Sequence, residues 1–130
     1  MLAGVILPGF LIEETTIRES GQSAVFELSD DYSRELVVTF GITHAVEKES
    51  IGVEIYGSHD GVAWQARPLA SFTPKSYCGT YDLMLAPRGA RYLKAVWSVK
   101  RWSREEARPF FRIYVSVRSA RVRTLTAGAA

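Results

Sequence analysis

One cysteine, two histidines and two methionines are all that 130 residues contain of those types. Cys78 alone cannot close an internal disulfide, so the core does not depend on oxidation and a disulfide-stapled secreted scaffold is excluded. No window repeats apolar residues at helical spacing for three turns. The nearest stretch, Ser103 to Phe110, is limited to a turn or two by Pro109. There is no G-x-S-x-G elbow and no glycine-rich phosphate loop. No apolar run is long enough to cross a bilayer. The opening MLAGVILPGFLI lacks a basic flank and is broken by Pro8-Gly9, so it reads as an ordered apolar arm over residues 1–15, or a strand that packs on something, rather than a signal peptide. A chain off the membrane and cytoplasmic at synthesis is expected.

What is present is globular and alternating. Apolar residues make up 47% and aromatics 12%, enough for one domain with a proper core. Leu36, Val38, Phe40 and Ile42 alternate with Val37, Thr39 and Gly41. Ile51, Val53 and Ile55 do so with Gly52, Glu54 and Tyr56. The same period of two recurs at Tyr81, Leu83 and Leu85, at Leu93, Ala95, Trp97 and Val99, and at Phe111, Ile113, Val115 and Val117. That period puts successive side chains on opposite faces of a strand. About eight strands with turn signals between them predict an all-β chain, a single antiparallel β-sandwich over residues 16–125 with a frayed tail at 126–130. The strongest turn signal is Gly57-Ser58-His59-Asp60-Gly61, followed by a return strand from Gln65 to Phe72. Pro68 marks that return strand as an edge or a bulge. Trp64 and Trp97 sit on strand-patterned stretches and are expected in the core.

Ser58-His59-Asp60-Gly61-Val62-Ala63-Trp64 resembles the S-x-D-G-x-x-W hairpin of discoidin (factor 5/8 type C) domains and related galactose-binding-like jelly rolls. Ala90-Arg91-Tyr92-Leu93-Lys94 is similar to a later strand of that family. The family's paired terminal cysteines are absent. The same hairpin and strand rhythm resemble small β-sandwich proteins of tailed-phage particles, and the sialidase Asp-box is a near miss. The first resemblance implies a jelly roll that binds carbohydrate or another surface ligand, in some members with calcium. Asp30 and Asp31 are where such an ion would bind, against the plainer reading of an acidic turn. The second implies a structural subunit, part of a virion-like particle.

Charge is small in sum and uneven in place. The net is +2, but residues 1–87 hold five Lys/Arg against twelve Asp/Glu, and residues 88–130 hold eleven against two. Such asymmetry marks a partner surface, or else acidic and basic strands paired within one sheet. Arg112 and Arg118 fall on one outer face with Tyr114 between them. The near-neutral balance argues against nucleic acid. Chemistry has little support. Cys78 has no histidine near it in sequence, and His44 and His59 lie on two loops flanking one strand, where they could come within reach of each other. The expected ligand surface is a set of end loops: Trp102 among Arg101 and Arg104, Lys75 with Tyr77, and His44. No enzyme, cofactor or metal is expected. The reading is a non-catalytic structural or assembly subunit that contacts itself or other protein subunits. The alternative is a carbohydrate- or surface-ligand-binding module.

Overall fold

The computed structural model describes residues 9–28, 35–45, 49–101 and 111–120. Within them are nine strands and no helix: β1 Gly9–Ile17, β2 Gly21–Gln22, β3 Phe26–Glu27, β4 Leu36–His44, β5 Glu49–Ser58, β6 Ala70–Lys75, β7 Gly79–Leu85, β8 Tyr92–Arg101 and β9 Phe111–Ser119. No helix of the described residues is long and apolar enough to cross a membrane.

One sheet runs β1-β9-β4-β7 and the other β2-β8-β5-β6, with β3 also on β8; every pairing is antiparallel. From β4 onward the chain crosses sheets at β4–β5, β6–β7, β7–β8 and β8–β9. Strands distant in sequence therefore become neighbours, which is the order of a jelly roll. The alternation seen in sequence is what fills the space between the sheets. Leu36, Val38, Phe40, Ile51, Val53, Ile55, Leu93, Ala95, Phe111, Ile113, Val115 and Val117 are all buried. Phe40 sits at the middle of this layer. Its ring meets Phe72 of the facing sheet edge-on, with centroids 5.3 Å apart, and Tyr81 of its own sheet at 6.1 Å.

Several boundaries differ from the sequence reading. Residues 9–15 of the expected arm belong to β1, which buries Leu11 and Ile12 side by side at an irregularity in its pairing with β9. Gly57 and Ser58 complete β5 rather than open the turn. The return strand is Ala70–Lys75, not 65–72. Pro68 precedes that strand. Pro74 lies inside it, on the sheet edge and within a register shift between Ile51 and Val53. There its missing N–H interrupts no ladder. His44 and Glu49 extend the strands on either side of their connection. Trp64 is not a core residue. It makes only an isolated bridge with Ser58, and its ring lies under Lys94 Nζ at 4.6 Å. Trp97 packs against the core from a half-buried position, and its Nε1 donates to the Glu19 carbonyl at 2.9 Å.

Part of the uneven charge is paired inside one sheet. The acidic first strand lies directly beside the basic last one. Arg112 Nε donates to Glu14 Oε2 at 2.8 Å, and Arg118 reaches Asp82 at 3.9 Å across β4. These two pairs are of the kind that the plainer reading of the asymmetry expects. Both pairs are about half exposed, so solvent screens them and neither adds much to stability.

Candidate functional site

Of the residues named for the end loops, His44, Lys75, Tyr77 and the backbone of Arg101 lie at one end of the sandwich. Ile42 pairs with Gly79, and Ile51 pairs with both Lys75 and Val99. That register brings the end of β4 with His44, the end of β6 with Lys75, the connection bearing Tyr77 and the end of β8 at Arg101 to the same side. Tyr77 is 78% exposed. Its carbonyl accepts the Tyr81 hydroxyl at 3.1 Å, while Lys75 Nζ lies 4.7 Å from the Tyr81 ring centroid and 3.1 Å from Thr73 Oγ1. Lys75 is thus held against an aromatic ring of the sandwich edge, with Tyr77 projecting beyond it. Trp102, Arg104 and the Arg101 side chain lie outside the described residues, as do Asp30 and Asp31.

The opposite end carries the Ser58 turn, and there the motif residues serve structure. Ser58 is buried, and its Oγ accepts the backbone N–H groups of Asp60 at 3.2 Å and Gly61 at 2.8 Å while donating to the Ala63 carbonyl at 2.7 Å. Asp60 Oδ1 accepts the N–H groups of Val62 at 2.8 Å and Ala63 at 3.0 Å. Gly61 takes φ 81°, a left-handed conformation that glycine adopts without strain. Ser58, Asp60 and Gly61 together satisfy a loop that has few other partners. Ser58→Ala strips the acceptor from two buried-end donors and is expected to cost about 2 kcal/mol, read as a shift in the urea midpoint. The Ala63 and Val62 N–H bonds, with Ser58, hold the Asp60 carboxyl below the usual carboxylate range. A lowered folded-state pKa stabilises above the unfolded value and is lost as pH falls through the folded one. The stability gap between the wild type and Asp60→Ala is therefore expected to be widest near neutrality and to close in acid. A gap that is unchanged at low pH would contradict this assignment.

His44 and His59 cannot share a metal. They flank β5 at its two ends, and ten strand residues span roughly 30 Å. Among the described residues no group of three His, Cys, Asp or Glu side chains is placed to hold an ion. Cys78 is exposed and free.

A third surface was only partly visible beforehand. The outer face of β1-β9-β4-β7 carries Phe10, Glu13, Glu14, Arg112, Tyr114, Arg118, Val37, Thr39, Gly41, Asp82 and Met84. Phe10 and Met84 are each more than half exposed. Tyr114 lies flat because Gly41 is beneath it: a Cβ there would stand 2.2 Å from the ring. Phe10 meets Tyr114 at 79°, with centroids 6.3 Å apart. The two rings form adjoining walls of a cavity of about 450 Å³, which Glu13 and Glu14 also line. Arg112 and Thr43 hold the Glu14 carboxylate, and Arg112 above all keeps its pKa below the ordinary value. Glu13 has no hydrogen bond or ion pair among the described residues. The alternation placing Tyr114 between two arginines was legible. The position of Phe10 was not, because its partner Ser116 is 106 residues away.

Compared with known proteins, the chain matches no family model, and no curated protein or solved structure is significantly similar to it.

Proposed function

We propose that this protein is a non-catalytic structural subunit that associates with further copies of itself through the outer face of its four-stranded sheet. The supporting observation is the pairing on that face of exposed Phe10 and Met84 with a cavity walled by Phe10 and Tyr114. An exposed aromatic beside a hollow, with an exposed methionine on the same sheet face, is what protein contacts use as anchors. Membership of a phage-like particle rests on the hairpin resemblance. Sedimentation velocity over rising protein concentration tests the assembly. Concentration-dependent growth that Phe10→Asp and Met84→Asp abolish supports it. A monomer at every concentration in low and high salt overturns it.

Carbohydrate or surface-ligand binding is the second reading, favoured by Tyr77 projecting beyond a ring-held lysine. Saccharide binding on a glycan array that is lost in Tyr77→Ala would support it. Unchanged binding in that variant would remove the end loops from consideration.

A further inference from the structure

The Phe10–Tyr114 cavity has a definite chemical preference. Its polar lining includes two carboxylates, and among the described residues only Glu14 is neutralised. Glu13 contributes a negative charge with no partner among the described residues, beside the electron-rich faces of two aromatic rings. Such a hollow attracts an organic cation: the rings favour it electrostatically and the carboxylate pairs with it. A neutral saccharide would find a stacking surface, but little beyond acceptors.

A matching cation stands elsewhere on the same molecule. Arg88 is exposed at the tip of the β7–β8 turn and has no hydrogen bond or ion pair among the described residues. Among those residues it is the non-glycine residue with positive φ, at 54°. A non-glycine residue in that region carries backbone strain, which persists where the surroundings impose it and is common at functional sites. Pro87 before it is buried and Gly89 after it has φ 87°. The arginine is thus carried on a constrained tip rather than a loose loop.

We propose that the guanidinium of Arg88 from a second copy of this chain enters the cavity, stacks against Tyr114 and Phe10, and pairs with Glu13. This rests on the self-association reading and names its contact. Pocket and arginine lie on different parts of the surface, so the contact is head-to-tail and each copy offers one of each. A planar guanidinium suits both the ring faces and a carboxylate better than an ammonium does.

Charge reversal provides the test. Glu13→Arg and Arg88→Glu are each expected to weaken self-association by about tenfold or more, the size of one partly desolvated charge contact. Mixing the two variants is expected to restore association as an alternating one-to-one assembly, since the reversed pocket of one meets the reversed tip of the other and the two unreversed elements also match. Nα-acetyl-L-arginine amide should shift the Phe10 and Tyr114 ring resonances and compete with assembly, whereas the uncharged citrulline analogue should not. Ser71→Ala, on the outer face of the other sheet, should associate as the wild type does. Assembly that survives both reversals overturns the contact and leaves the self-association reading intact. Loss in each single variant without rescue in the mixture overturns it as well. A monomeric wild type whose rings still respond to the arginine amide overturns the second-copy assignment together with the assembly reading. Saccharide-induced ring shifts in place of arginine-induced ones would do the same.

Discussion

Phe40→Ala is expected to lower the free energy of unfolding by about 3–5 kcal/mol. The ring is fully buried and touches both sheets, meeting Phe72 across the sandwich and Tyr81 beside it. Removing it loses the transfer free energy of a benzyl group and leaves a cavity that two flanking strands, β9 and β7, keep from closing. The edge-to-face contact with Phe72 adds about 0.5–1.5 kcal/mol beyond area. Urea unfolding followed by tryptophan fluorescence reads the loss, with the slope of the transition unchanged. Val62→Ala is the matched control. That side chain is 81% exposed, and its truncation is expected to stay within about 0.5 kcal/mol of the wild type. A Phe40 loss no larger than that would mean the sheets do not pack around it.

Gly57→Val is expected to be nearly as damaging, at about 3 kcal/mol, the upper part of the overpacking range. Gly57 is buried at the end of β5. A Cβ there would stand 2.6 Å from Leu69 Cδ1 and 2.8 Å from Ala90 Cβ. Leu69 can swing aside, but the Ala90 Cβ moves only with its backbone. That backbone is tied on both sides, because the Ala90 N–H bonds the Pro87 carbonyl and the Arg91 N–H bonds the Ser58 carbonyl. Gly41→Ala makes the contrast. Its clash is with the far end of the Tyr114 ring on the sheet surface, which can lift away. Thermal melts of the two variants should therefore separate clearly, with Gly57→Val the lower. The reverse order would place the rigid contact at the wrong glycine.

The contrast between those glycines shows what was readable in advance. The chain pattern marked Gly57 as a turn residue and Gly41 as one position on a strand's second face. Neither reading contained the reason each is glycine, because Ala90 and Tyr114 are remote in sequence and arrive only through the pairing of β5 with β8 and of β4 with β9. The hairpin suffered in the same way. Asp60-Gly61 correctly located the reversal of the chain. The return strand nevertheless began later than its local pattern suggested, because the ladder partners of Ile55 and Val53 are Ala70 and Phe72 rather than the residues just after Trp64. His44 and His59 were separable only once β5 had a length and a direction.

Period-two alternation alone determined which side of each long strand faces inward, and with it the all-β class and most of the core. It could do so because a strand's two faces are set by local backbone geometry, whatever the strand pairs with. Tertiary structure decided which strands became neighbours. It set the acidic β1 against the basic β9, and it seated Phe10 beside Tyr114 with Glu13 lining the same hollow. Those juxtapositions join residues about a hundred positions apart. They depend on how the two sheets interleave, which no local stretch of the chain encodes.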